Sequence, residues 1–306
     1  MLGYESYVTI NGSIALANSA DVSQSRVPIV SNALYGSSIA TNASIPLQQP
    51  HFYDWSEISA TVTLDVNSDF LTIIKWMLIN RSTSVDLYLN SRKTGIKHIS
   101  NAWWQTITLS AAQDGAVSAT IGFVALETDS YGVGKFTDYW GNTTGSLTCS
   151  MMDTTNPLNP DWNVGYPSLG NLDPIPFWKT SITGLDNVKG WNFSVTQTIV
   201  KFMGCMKNNN AIAQEPYVMG FGTVTADMKI DTLLPDVVPV AGWDMSGIYS
   251  GSAITDITAG RKSLIIVVNG TSFLDMTGEL IRVADPLQGN DSVDNISWDY
   301  QVYNFV

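Results

Sequence analysis

The stretch 55-WSEISATVTLDVNSDFLTIIKWMLINRSTSVDLYL-89 changes its period twice. Ile58, Ala60, Val62, Leu64 and Val66 alternate with Ser59, Thr61, Thr63 and Asp65, which gives an extended segment one apolar side. Asn67 or Ser68 then caps a short helix, whose stripe is Phe70, Leu71, Ile73, Ile74, Met77 and Leu78. Alternation returns at Val85, Leu87 and Leu89. The unit reads strand, helix, strand, and it contains no metal-ligand cluster and no convergent set of acids and bases. The helix holds Lys75 and is too short for a membrane span.

Outward from this unit the chain stays β-like. The segment 4-YESYVTINGSIALANSADVSQ-24 places two extended pieces around Asn11-Gly12, a strong hairpin signal. Two more strands flank Gln113-Asp114-Gly115 in 102-AWWQTITLSAAQDGAVSATIGFVALE-127. Between these regions, 31-SNALYGSSIATNASIPLQQPHFYDW-55 is too rich in Gly, Ser, Asn and Pro for a helix, and its aromatics predict a docked long loop. Residues 128–176 read as an ordered Gly/Pro/Asn/Thr-rich connector. Alternation resumes in 190-GWNFSVTQTIV-200, 217-YVMGFGTVTADMKIDTL-233 and later segments.

The later strands repeat the earlier ones in order. Residues 58-ISATVTLDV-66 match 223-TVTADMKID-231, 84-SVDLYL-89 matches 262-KSLIIVV-268, and 114-DGAVSATIGFVAL-126 matches 291-DSVDNISWDYQVYNF-305. This points to an internal duplication.

Composition sets the broad class. The 306 residues are 44% hydrophobic, which allows one large or two ordinary domains with real cores. Only 14% are charged, which fits either an uncharged polar surface or surfaces committed to self-assembly. A net charge of -12 disfavours a nucleic-acid-binding groove, although an acidic wall suits a conduit to which a polyanion should not adhere. The opening MLGYESYVTING lacks the features of a secretory signal, and Asn11-Gly-Ser and Asn269-Gly-Thr read as turns and strand polars.

No catalytic, cofactor-binding or metal residue is assigned. His51 and His98 stand outside any metal-ligand spacing, and Asp54 with Glu57, or Asp291 with Asp294, read as solvated turn and strand-end carboxylates. Cys149 and Cys205 are the only cysteines and form no CxxC; Cys149 reads as a quiet thiol without a local activating histidine. Gly132-Val-Gly134 and Gly220-Phe-Gly222 lack the context of a phosphate or dinucleotide loop and read as bends or bulges. Eight of the ten tryptophans (Trp103, Trp104, Trp140, Trp162, Trp178, Trp191, Trp243, Trp298) are spread through both halves, which favours packing and interfaces over a sugar platform. A carbohydrate-binding β-sandwich module is the alternative outside the assembly class.

The segments 191-WNFSVTQTIV-200, 215-EPYVMGFGTVTADMKIDT-232, 262-KSLIIVVNG-270 and 291-DSVDNISWDYQVYNF-305 together resemble the tail tube, or major tail, proteins of tailed bacteriophages. In the first half, 58-ISATVTLDVNSDFLTIIKWML-78 and 114-DGAVSATIGFVAL-126 match the corresponding strand-helix and final-strand features. The resemblance implies a mainly β chain with two tail-tube-like β-sandwich or barrel domains, each with a short helix, whose strands join neighbouring subunits around a ring. The domains fall at 1–127, with a long loop at about 25–55, and at 177–306, with the connector 128–176 between them. It further implies trimeric pseudo-hexameric or hexameric rings stacked as a tube in the virion tail, assembled in the host cytoplasm. Other tail or baseplate proteins, a tape measure protein and DNA in transit would be its partners, with no membrane insertion and no enzyme activity. A baseplate or distal-tail ring is the alternative within the class.

Overall fold

The computed structural model of the chain describes residues 6–30, 50–91, 95–127, 146–150, 172–183, 185, 187–203, 216–233, 261–284 and 295–305. It is mainly β. The strands are β1 (Ser6–Ile10), β2 (Ser13–Val30), β3 (Pro50–Asp65), β4 (Val85–Ser91), β5 (Gly95–Ala112), β6 (Ser118–Glu127) and β7 (Ser146–Ser150), followed by β8 (Thr180–Ile182), β9 (Val188–Met203), β10 (Pro216–Leu233), β11 (Arg261–Val268), β12 (Thr271–Ala284) and β13 (Asn295–Phe305). One α-helix, α1 (Ser68–Ile79), and a short 3-10 helix, Phe177–Lys179, lie among them.

Turn chemistry sets the first hairpin. Asn11 and Gly12 both take positive φ, 47° and 88°, and leave Ile10 paired with Ser13 across a two-residue loop. Such a loop twists with the strands it joins, and only Asn, Asp or Gly enter that region of φ cheaply. Asn269 and Gly270 repeat the device between β11 and β12.

Helix α1 starts at Asn67, whose side-chain oxygen accepts from Phe70 N at 2.8 Å while its amide donates to the Ile14 carbonyl at 2.7 Å. One residue thus caps the helix and ties it to β2. Of the six stripe residues, Phe70, Ile74, Met77 and Leu78 are buried, and Leu71 and Ile73 pack partly exposed against the same core.

Hydrogen bonding in the order β4-β1-β2-β3-β6-β5, closed by β4–β5, makes a six-stranded barrel from the first half. The pairings β4–β1, β2–β3, β3–β6, β6–β5 and β5–β4 recur in the second half as β11–β8, β9–β10, β10–β13, β13–β12 and β12–β11. The three sequence matches fall on β3 and β10, β4 and β11, and β6 and β13. No β8–β9 pairing occurs among the described residues, so the second set is an open sheet there. The stretch corresponding to α1, between β10 and β11, lies outside the described residues.

Three details go beyond the sequence expectations. The β2–β3 pairing continues, with register shifts after Arg26 and Ile29, to Val30 opposite Pro50, so strand enters both ends of the stretch read as a loop over about 25–55. Residues 146–150 of the connector form β7 on the edge of β5. Both halves also share one sheet and one buried core, because β9 pairs antiparallel with β5 from Thr106–Thr196 to Ala112–Gly190.

Candidate assembly surface

Eight strands, β2-β3-β6-β5-β9-β10-β13-β12, form an uninterrupted run across both halves. Partners directly opposite each other share a face, so a row can be followed through the register. One row reads Ser19, Thr63, Thr120, Thr108, Ser194, Asp227, Gln301, Glu279. The next row on that face reads Asp65, Ser118, Ser110, Asn192, Lys229, Asp299, Arg282. On the opposite face the row Val62, Ile121, Ile107, Val195, Ala226, Val302, Gly278 is buried throughout. From β3 to β12 the sheet is therefore amphipathic, as a one-sided antiparallel sheet should be, whereas Ala20, opposite Val62 on β2, is exposed.

The polar face is held together by its own hydroxyls. Thr63 and Thr120 approach at 3.2 Å, Thr108 and Ser194 at 3.1 Å, and Ser110 and Ser118 at 2.8 Å. Ser297 donates to Asp231, and Asn18 donates to Asp65 at 2.8 Å. Short side chains of this kind give a wet, flat surface with little long-chain entropy to lose. Its charges include Asp21, Glu57, Asp65, Asp227, Asp231, Glu279 and Asp299 against Lys229 and Arg282, so the face is acidic on balance.

One apolar island interrupts the face. Trp103 lies opposite Val124, on the side of Ser59, and packs with Ile199 and Phe221. Its neighbour Trp104 points the other way, into the main core, and its indole Nε1 donates to the Met77 carbonyl at 2.9 Å. Neighbouring strand residues face opposite ways, and the register shift between Trp104 and Thr106 decides that Trp104, not Trp103, is the one turned to the main core.

The two ends of the eight-strand run are incompletely covered. Over Ser19–Gln24, β2 pairs with β3 only, since β1 reaches no further than Leu16. Beyond Glu279, β12 pairs with β13 only, since β11 begins at Arg261 opposite Glu279. These statements hold among the described residues. Ala20 is exposed and Val22 and Leu280 are half-buried, whereas Phe193, Val195 and Ile107, in the covered middle of the sheet, are fully buried.

The residues considered for chemistry fall as follows. His98, on β5, stacks flat on Tyr88 at 4.1 Å, with Nε2 3.6 Å from an Asp86 carboxylate oxygen. His51 and Asp54 lie on β3, Glu57 stands half-buried three residues on, and Cys149 lies on β7 opposite Lys97. Cys205, Asp291, Asp294, Gly132, Gly134, Trp140, Trp162 and Trp243 lie outside the described residues. Gly222 sits in β10 where the register with β9 shifts, and a Cβ there would meet Thr198 and Val200 at 3.2 and 3.3 Å.

Trp191 and Trp298 are buried and donate to Thr180 and Thr232, whereas Trp178 is exposed. An open groove of about 370 Å³ between α1 and the β11–β12 turn is lined by Leu71, Trp76, Ile79, Val268 and Phe273, with Lys75 as the charged group in its lining. Among the described residues there is no group of three or more His, Cys, Asp or Glu placed to hold a metal, and no helix long and apolar enough to cross a membrane. The residues that define the surface, Ser19 to Gln24 and Glu279 to Ala284, carry no motif; only the pairing order singles them out.

Protein-family comparison gives no match for this chain, and no curated protein matches it.

Proposed function

We propose that the chain is a structural virion protein whose copies join edge to edge into rings and stack as the tail tube that conducts phage DNA. The supporting observation is the eight-strand amphipathic run: a polar face broken by the Trp103 island, a largely buried opposite face, and, among the described residues, a partly uncovered strand at each end. A sheet with two different open edges adds copies head to tail, and such addition ends without exposed edges only when a ring closes.

In this reading each chain supplies two tube-like units, at 1–127 and 177–306, and the second repeats the pairing order of the first. The polar face lines the passage. Small hydroxyls keep that wall wetted, and its acidic balance repels DNA phosphates, over a range of about 10 Å at 0.1 M salt. The chain is read as having no enzymatic step and no cofactor or metal; other tail or baseplate proteins, the tape measure protein and DNA in transit are the partners of the assembled tube.

Placement of the face is tested by a thiol at Thr61, an exposed position on it. In assembled tubes Thr61→Cys should react with a small maleimide and resist one coupled to a folded protein. Equal reaction with both would put the face on the outside and remove the conduit.

A further inference from the structure

We infer that β12 of one copy pairs antiparallel with β2 of the next in a single register, with Leu280 opposite Val22 and Arg282 opposite Asp21. The pairing rests on the wall-forming reading above and supplies the contact that joins one chain to another.

The template is inside the chain. Strand β5 of the first half pairs with β9 of the second, Ile107 opposite Val195 and Thr108 opposite Ser194. By the recurrent pairing order, β12 stands where β5 stands and β2 where β9 stands. Individual residues follow from their shared partners. Ala60 lies between Val22 and Phe123, and Ala226 lies between Val195 and Val302, so Val22 corresponds to Val195. One step along, Ile121 pairs with Ile107 and Tyr300 with Leu280, so Leu280 corresponds to Ile107. On the polar face Asp21 corresponds to Ser194, and Arg282 to Thr108.

Three features of the chain agree with the transfer. The backbone edges it needs, Ser19–Gln24 of β2 and the residues of β12 beyond Glu279, have a strand on one side only among the described residues. They also lie at opposite ends of the eight-strand run, so a second copy is the natural occupant.

Charge provides a check that the register did not use. The transfer replaces two facing hydroxyls by an arginine facing an aspartate, and opposite charges directly across an antiparallel pair are stabilising. The Arg282 side chain is 71% exposed and only leans on Asp299 at 4.0 Å, which leaves most of its guanidinium for a second carboxylate.

The third feature is a repeated glutamine. Gln197 donates to the Trp104 carbonyl across the internal junction, and Gln24 holds its place on β2. Trp104 corresponds to Gly278, which Lys262 of β11 already pairs, so Gln24 stands at the limit of the proposed pairing, where β11 leaves β12.

Paired cysteines read the register directly. In a Cys149→Ser, Cys205→Ser background, the full chain carrying Asp21→Cys and Arg282→Cys should form a ladder of covalent multimers on gentle oxidation while assembled. Opposed positions bring Cβ atoms to roughly 5 Å, whereas diagonal positions hold them at about 7–8 Å. Ser23→Cys with Arg282→Cys should therefore cross-link about tenfold more slowly. Because cysteine removes the charge pair, Arg282→Glu is measured separately: it should raise the half-assembly concentration about tenfold, and adding Asp21→Lys should restore it.

Intact rings without the cross-link, or with Asp21→Cys bonding only to itself, would overturn the register and leave ring formation standing. A chain that stays monomeric would overturn both. Covalent multimers that never close would support the register and remove the ring.

Discussion

Gln24 and Gln197 hold the same place on corresponding strands, yet Gln24 is exposed while Gln197 is only 2% exposed. Gln197 Nε2 donates to the Arg81 carbonyl at 3.1 Å and to the Trp104 carbonyl at 3.2 Å. The difference lies in what stands beside the strand: β9 is covered by β5, and β2 has no such neighbour at this height among the described residues.

The two glutamines should therefore respond differently to truncation. Gln197→Ala should lower the stability of the isolated chain by about 1–3 kcal/mol, since it removes a bond to the buried Trp104 carbonyl and a part-buried one to the Arg81 carbonyl. Gln24→Ala should stay within about 0.5 kcal/mol of the parent in dilute solution and weaken assembly instead. Urea unfolding at low protein concentration, beside sedimentation at high concentration, separates the effects; equal loss of stability would deny the difference in environment.

Trp104 fastens α1 to the barrel. Its indole donates to Met77, whose carbonyl lies in the last turn of the helix and lacks a partner further along it. Trp104→Phe should cost about 1–3 kcal/mol in urea unfolding and speed hydrogen exchange in the last turn of α1. Unchanged stability would mean that the bond contributes nothing.

A methyl group is excluded at Gly122. A Cβ there would lie 2.5 Å from Thr106 Oγ1, on the polar face where β6 and β5 run side by side. Gly122→Ala should destabilise by roughly 1–3 kcal/mol, and Thr106→Ala in the same chain should recover most of the loss. The double variant, measured by thermal unfolding, is the informative member of the cycle, because failure to recover would place the strain elsewhere.

Much of the local structure was readable from residue types. Alternation located β3, β6, β9 and β10, and the period change at Asn67 located α1. Asn67 and Ser68 were equally good caps on paper; Asn67 is the one used because its amide also reaches the Ile14 carbonyl. The sequence matches likewise fell on corresponding strands of the two halves.

What periodicity does not carry is which strand lies beside which. The β5–β9 junction joins Thr108 to Ser194 across a gap that no local pattern spans. Bulges hide a second kind of information. Counting back by twos from Ile107 would turn Trp103 inward, but the register shift at Gln105 turns Trp104 inward and leaves Trp103 on the polar side with Phe221, their ring centroids 6.5 Å apart. The candidate surface was illegible for the same reason. Val22 and Leu280 look like ordinary strand residues until the pairing shows that both stand at an incomplete edge.

Tyr300 gives the fold an alkaline limit. Burial pushes its hydroxyl well above the ordinary value of 10.0, because the phenolate would lose its hydration. A raised folded value leaves stability intact below the unfolded value near 10 and removes it as pH climbs above that, by at most about 1.4 kcal/mol per pH unit. Tyr300→Phe should flatten this loss between about pH 10 and 12 in chemical denaturation. An unaltered slope would assign the alkaline loss to other groups.

Electron microscopy of the purified 306-residue chain, with the mass of the same particles measured, tests the central claim most directly. The predicted result is closed rings or stacked tubes with an open centre, each ring a whole multiple of the chain mass. A stable monomer at high concentration, unchanged by salt or by virion partners, would contradict it.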